Sequence, residues 1–297
     1  MDGPPKIFDR KLLDRRRRRA AKAAVPGAAF LLEAVADDLV ERLAAVERRF
    51  DLGAEIGSAG TALADRLIAT GRVARLVRLD RLAEARPNIV GDEAALPFAD
   101  GSLDLAVSAL AFHALDDLPG TFAQIRRALK PDGLFLAAFA GGDSLTELRQ
   151  SLAAAEGELA GGAAPRVFPF VEVRALGQLL QRAGFALPVT DQDRLTIRYA
   201  DMFGLMRDLR AMGATNVLVE RERRPLSRAV LFRAAAVYAE RYADADGRVR
   251  ATFDILSLSG WAPHASQPKP LRPGSAKARL ADALGSSERP AGEKAGR

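Results

Sequence analysis

The chain has 297 residues, of which 48% are hydrophobic and 28% charged, with a formal net charge of +6; this is the make-up of a globular chain of one large or two small domains. It contains no cysteine, which excludes disulfides, thiolate metal sites and cysteine nucleophiles, and its two histidines, His113 and His264, are too few and too far apart in sequence to suggest zinc, so no metal is expected. No apolar run approaches the ~20 residues of a membrane span and the N-terminus lacks an apolar signal core, so a cytoplasmic protein with at most peripheral membrane association is expected.

The basic N-terminal segment, residues 1–26, carries the run Arg15-Arg16-Arg17-Arg18-Arg19. Such a run grips nucleic acid, anionic lipid or an acidic partner, or forms an ordinary solvated helical face. No aromatic residues interleave with it as stacking platforms, so nucleic acid is not expected. Over residues 27–47, Leu32, Val35, Leu39, Leu43 and Val46 recur every three or four positions, which predicts an amphipathic helix. A strand over Phe50–Ile56 follows, then a helix over "GTALADRLIATG" closed by Gly71. "RVARLVRLD" is a strand ending at Asp80, and "PNIVGDEAALPFADGS" is a short strand plus loop. "LDLAVSALAF" is apolar enough for a central strand. "DLPGTFAQIRRALK" is a helix with Pro119 in its first turn. "PDG" is a turn, and "LFLAAFA" is a buried strand.

This alternation predicts an α/β fold, with a parallel sheet covered by helices on both faces. Ligands of such sheets bind at the carboxyl ends of the strands, where the strand order reverses. After Asp143 the pattern changes. "SLTELRQSLAAAEGEL" is a helix, and "VRALGQLLQRAGFALPV" contains a helix stopped by Gly184. "DRLTIRYA" and "RVRATFDILSLSGW" alternate like strands. The mainly helical stretch 201–245 between them is expected to be a lid insertion, with Tyr199 and Arg207 as lid residues and Trp261 as a packing anchor. The main domain is then 27–262, and the Pro-, Gly-, Ser- and Lys-rich 263–297 is expected to be a disordered tail.

The loop "AEIGSAG" falls where a nucleotide would bind. A P-loop needs a glycine-rich turn ending in Lys and Ser or Thr, which is absent. A dinucleotide fold needs more glycines to meet a pyrophosphate. S-adenosylmethionine (SAM) has no pyrophosphate. It needs one close backbone approach after the first strand, an acid after the second for the ribose, and an acid after the third near the adenine amine. Gly57–Gly60, Asp80 and Asp92 fill those three places. Two registers of the loop are open. In one, "DLGAEIG" supplies Asp51, Gly53 and Gly57, with Glu55 where a glycine belongs; in the other, "EIGSAGT" supplies Glu55 and Gly57, with Ala59 and Thr61 in glycine positions. The second gives the shorter strand–turn–helix unit and is preferred. Ala59 and Thr61 resist positive φ, so the turn is expected to be reshaped.

"GDEAALPFADGSLDLAVSALAFHALDDLPGTFAQIRRALKPDGLFLAAF" resembles the class I SAM-dependent methyltransferase superfamily, of the type 11 kind. Within it, the segment is similar to the malonyl-carrier-protein methyltransferases of biotin synthesis. "IFDRKLLDRRRRRAA", "PRVFPF", "LGQLLQRAGF", "MRDLRAMGATN" and "GWAPHASQPKPLRPGSA" extend the resemblance to most of the chain. There they resemble the bacterial relatives of a mitochondrial respiratory complex I assembly factor. The resemblance implies a Rossmann-like methyltransferase fold, a mostly parallel seven-stranded sheet flanked by helices, with the helical insertion before the last strand. It implies SAM as cofactor and, as reactions, methyl transfer to an unidentified acceptor or arginine hydroxylation of a complex I subunit. A non-catalytic binding protein with a degenerate cofactor loop is the third reading.

The cofactor set is then Glu55, Gly57, Ser58, Ala59, Asp80, Asp92, Glu93, Ala109 and Leu110. Glu55 would reach the methionine amino end through water. Asp92 and Glu93 alternatively form an ordinary helix-start pair. His113, after the fourth strand, is a candidate wall or acid–base group; relatives often carry tryptophan next, where this chain has Ala114. Asp116 and Asp117 could orient a substrate or cap a helix. With Tyr199 they complete the catalytic candidates.

Overall fold

The computed structural model describes residues 5–268 and 285–286. The chain divides into one unit over Met1–Pro263 and a second over His264–Arg297. Nearly all of the expected tail lies outside the described residues. In the second unit, His264 Nδ1 lies 2.7 Å from Ser266 Oγ. In the first unit the elements run α1 (Arg10–Ala23), α2 (Phe30–Ala44), β1 (Phe50–Ile56), α3 (Ala62–Ala69), β2 (Val73–Asp80), β3 (Ile89–Val90), β4 (Leu103–Ala109), α4 (Leu118–Ala128), β5 (Leu129–Gly141), α5 (Thr146–Ala160), α6 (Val173–Arg182), β6 (Ala186–Tyr199), α7 (Met202–Ala211), α8 (Arg228–Tyr242) and β7 (Val249–Trp261).

The strands form one seven-stranded sheet in the order β3-β2-β1-β4-β5-β7-β6. β1 pairs in parallel with β2 and with β4, and β4 with β5, while β7 runs antiparallel to β5 and β6. Both faces of the central strands are buried, because successive side chains point to opposite sides. In β5, Leu134, Leu136 and Ala138 join one core and Phe135, Ala137 and Phe139 the other. The first core takes Leu39 and Leu43 from α2, Leu63 and Leu67 from α3, and Leu148 and Leu152 from α5. The second takes Phe122 and Ile125 from α4 and Leu176 and Leu180 from α6. The helical insertion sits before β7 as α7 and α8.

Several boundaries differ from the sequence expectation, for physical reasons. The "PDG" turn is built into β5, whose pairing with β4 shifts between Leu103 and Leu105, and Asp132 takes a φ of +64° there. That irregularity absorbs the turn without breaking the strand. The strand expected over 193–200 is the second half of a longer β6, which pairs with β7 from Ala186 onward. The arginine run lies in α1, whose N-terminus is capped by Asp9 accepting from Leu12 N at 2.9 Å.

The segment before α1 is stitched to the rest of the first unit. Asp9 N donates to Val217 O at 2.7 Å and Val219 N to Ile7 O at 2.9 Å. Phe8, Phe168, Val217 and Leu218 form a small third core. Among the described residues no helix is long and apolar enough to cross a membrane.

Candidate functional site

The strand order reverses between β1 and β4, which opens a crevice at their carboxyl ends. The turn after β1 enters it. Gly57 has a φ of +74° and Gly60 one of +69°, the left-handed conformations that glycine adopts freely. A Cβ on Gly57 would stand 3.0 Å from the Ala111 Cβ, so the backbone there is a close-approach point. Thr61 has a φ of −112°, and Ala59 is not among the positive-φ residues. The two positions that looked unfavourable therefore need no strained backbone. The turn uses the glycines the chain retains. Asp51 and Gly53 lie within β1, before the turn.

The acids take distinct surroundings. Glu55 is 1% exposed and accepts from Arg78 Nε at 2.7 Å. Burial raises its pKa to about 7, against the opposing pull of Arg78 and Ser58. Asp80, also 1% exposed, accepts from Leu82 N at 2.7 Å through Oδ1 and from Arg17 at 2.6 Å through Oδ2. Arg17 also reaches Gly57 O at 3.4 Å. Asp92 is partly exposed and accepts from Arg10 at 2.8 Å and from Ala94 N at 2.9 Å. Glu93 is buried, pairs with the same Arg10 nitrogen at 2.8 Å, and leaves Oε2 without a partner among the described residues. Burial raises its pKa, against Arg10. Ser58 Oγ accepts from Ala109 N at 2.9 Å, tying the turn to the end of β4. Leu110, at φ +51°, carries the chain from β4 into the crevice.

A cavity of about 1600 Å³ opens on this crevice. Gly57, Ala59, Glu93, Leu110 and His113 line it, whereas Glu55, Asp80 and Asp92 are not among its lining residues. Arg17 and Met206 line it too, from α1 and from the insertion. His113 is only partly open to water and leaves Nδ1 without a partner among the described residues. Its ring stacks on Phe168 at 6.2 Å. Burial, with the charge of Arg17, holds its pKa down at about 4, so the imidazole is neutral near pH 7.

The remaining candidates lie elsewhere. Asp116 Oδ1 accepts from Ile7 N and Phe8 N, both at 2.9 Å, and so anchors the N-terminal segment. Asp117 caps α4 by accepting from Gly120 N at 2.8 Å. Tyr199 packs in the first core with Met202 and Leu205, and burial with Asp208 raises its pKa. Trp261 packs against the same core, with the Arg48 guanidinium 6.0 Å from its ring centroid. Arg207 lies on α7, outside the cavity wall. Among the described residues no group of three His, Asp or Glu is arranged to hold a metal ion. The residues that sequence reading passed over are Arg10, Arg17, Arg78 and Phe168. Arg10, Leu13 and Arg17 share a helical face by their spacing, which is the one signal that would have turned α1 inward.

A methyltransferase domain matches residues 50–137. The chain is 38% identical over 288 residues to arginine-hydroxylase NDUFAF5, mitochondrial, of Danio rerio, covering 93% of this chain and 89% of that protein. It is 37% identical over 222 residues to malonyl-[acyl-carrier protein] O-methyltransferase of Xylella fastidiosa, covering 72% and 73% respectively. The fold is that of the YcgJ protein from Bacillus subtilis, with a TM-score of 0.52 at 15% identity over 76% of this chain and 98% of that one. The chain belongs to the class I methyltransferase-fold family that includes these arginine hydroxylases and malonyl-carrier-protein methyltransferases.

Proposed function

We propose that the chain is a SAM-dependent methyltransferase whose acceptor is still to be identified. One observation carries the reading: the Gly57–Gly60 turn lines a large cavity, and Arg17 on the same wall bridges Gly57 O and the buried Asp80 carboxylate. The residues present fit SAM. Gly57 gives a cradle that a Cβ would fill, and Glu93 Oε2 and His113 Nδ1 are buried polar atoms without partners among the described residues. When bound, SAM supplies an electrophilic methyl group on a sulfonium sulfur. The chain's part is to bind, orient and exclude water. Asp80 would accept from the ribose hydroxyls, and Asp92 or Glu93 from the adenine amine. Ser58, Ala109 and Leu110 hold the wall of the turn, and Glu55 fixes its base through Arg78. His113 lines the cavity as a neutral imidazole, a wall group rather than a proton acceptor. Helix α1 and the insertion supply walls of the cavity. The reading carries a cytoplasmic working compartment with it.

The test uses full-length protein, methyl-labelled SAM and an extract of a strain lacking the gene. Label is expected to move to one acceptor with wild-type protein and not with Asp80→Ala. No transfer by the wild type under any acceptor fraction would sink the reading.

A second reading is a respiratory complex I assembly factor that hydroxylates an arginine of a complex I subunit. It is favoured by the reach of the similarity to the Danio rerio arginine hydroxylase, which extends well outside residues 50–137. Mass spectrometry of complex I from the deletion strain tests it. One subunit arginine lacking an added oxygen supports it, and fully modified, fully assembled complex contradicts it.

A further inference from the structure

Between α1 and the loop after α7 lies a second cavity of about 250 Å³, lined by Arg16, Arg19, Arg210 and Thr215. Gly213, at φ +76°, makes that approach possible: a Cβ there would stand 3.2 Å from Arg17 Cα and 3.3 Å from Arg16 O. Arg16, Arg210 and Thr215 also belong to the wall of the large cavity, so the two spaces share an edge.

Three neighbouring arginines have counter-charges. Arg17 pairs with Asp80, Arg18 with Glu84 and Arg221 with Asp9. Arg16, Arg19 and Arg210 have no carboxylate within ion-pair distance among the described residues. Arg16 instead donates to the backbone oxygen of Asn216. Its guanidinium is held below its usual range by burial and by the charges of Arg221, Arg19, Arg15 and Arg210. Like charges gathered without compensation repel, and an anion among them removes that cost. Guanidinium forks match the oxygens of a phosphate, and a threonine hydroxyl adds a further donor.

We propose that the acceptor, on the methyltransferase reading above, carries a phosphate group that Arg16, Arg19, Arg210 and Thr215 hold at the mouth of the large cavity. Its body then lies along walls such as Leu13, Met206 and Leu209, toward Gly57 and His113. The same charges repel a guanidinium-bearing side chain, so an arginine substrate would not enter by this mouth.

Calorimetry on the full-length protein tests this with hexyl phosphate, inorganic phosphate and hexylguanidinium. Hexyl phosphate is expected to bind at least about tenfold more tightly than inorganic phosphate, and hexylguanidinium not to compete. The double variant Arg19→Gln, Arg210→Gln should lose about tenfold in hexyl phosphate affinity while keeping its SAM affinity. Without ligand its melting temperature should hold or rise, because repulsion is relieved. Wild-type-like hexyl phosphate binding by the variant, equal affinity for the ester and the free ion, or a fall in the ligand-free melting temperature would each overturn the proposal. SAM titrations of the same samples are independent of the phosphate result: absent SAM binding with intact hexyl phosphate binding refutes the cofactor reading and leaves the anion site standing.

Discussion

Arg17 of the N-terminal helix donates to the buried carboxylate of Asp80, at the carboxyl end of β2, at 2.6 Å. The outer oxygen of the acid best placed for a ribose is thus held by a guanidinium from the segment that carries the arginine run. On the proposed reading a ribose would have to share or displace it, so that Arg17 and the cofactor would compete for one carboxylate. Arg17→Ala is therefore expected to tighten SAM binding several-fold. Calorimetry checks this, and weaker binding by the variant would mean that Arg17 orients Asp80 instead.

The turn glycines make separable predictions. Gly57→Ala combines an unfavourable φ with a 3.0 Å contact to Ala111, and should abolish SAM binding as well as lower stability. Gly60→Ala meets nothing within 4 Å, so only the left-handed backbone opposes it, at about 1 kcal/mol. Ala59→Gly should leave affinity unchanged. Denaturant melts and SAM titrations of the three variants report the order.

Arg78 holds Glu55 in a buried pair, with the two side chains 11% and 2% exposed. Arg78→Ala leaves a buried carboxylate without its partner, which costs about 3–5 kcal/mol unless the acid protonates. Urea unfolding should show the loss, and adding Glu55→Gln should recover much of it. A single variant as stable as wild type would show that Glu55 is already neutral.

His113 ties stability to pH. Its pKa is about 4 in the folded chain and 6.5 by reference. Between those values the unfolded chain binds more protons, so the contribution is complete above about pH 6.5 and is lost as pH falls toward 4. Melting temperature against pH should therefore fall less steeply for His113→Asn than for wild type across that range. Parallel curves would contradict it.

Local pattern made much of the fold legible. The three-and-four spacing of Leu32, Val35, Leu39 and Leu43 marks α2, and the apolar run at 103–109 marks a strand buried on both faces. Asp80 at the end of "RVARLVRLD" and the glycines of "AEIGSAG" stand where the strand order reverses. The partners of those acids were hidden, because they come from distant chain. Arg17 is 63 positions from Asp80, and Arg10 is 82 from Asp92. An arginine run gives no local sign of which members turn inward. Ala59 and Thr61 occupy glycine positions of the preferred register, yet Gly57 and Gly60 carry the left-handed backbone, which the spacing of the loop alone does not reveal. Asp116 reads from the sequence as a substrate acid or a helix cap, whereas its Oδ1 accepts from Ile7 N and Phe8 N, 109 and 108 positions away.

The central claim is that SAM binds at the Gly57–Gly60 turn with its ribose on Asp80. Isothermal titration of SAM into full-length wild type and Asp80→Ala, each shown to be folded by its melting transition, tests it most directly. Saturable binding by the wild type, weakened about tenfold or more in the variant, is the predicted result. No binding by the folded wild type at millimolar SAM, or equal binding by both proteins, would contradict it.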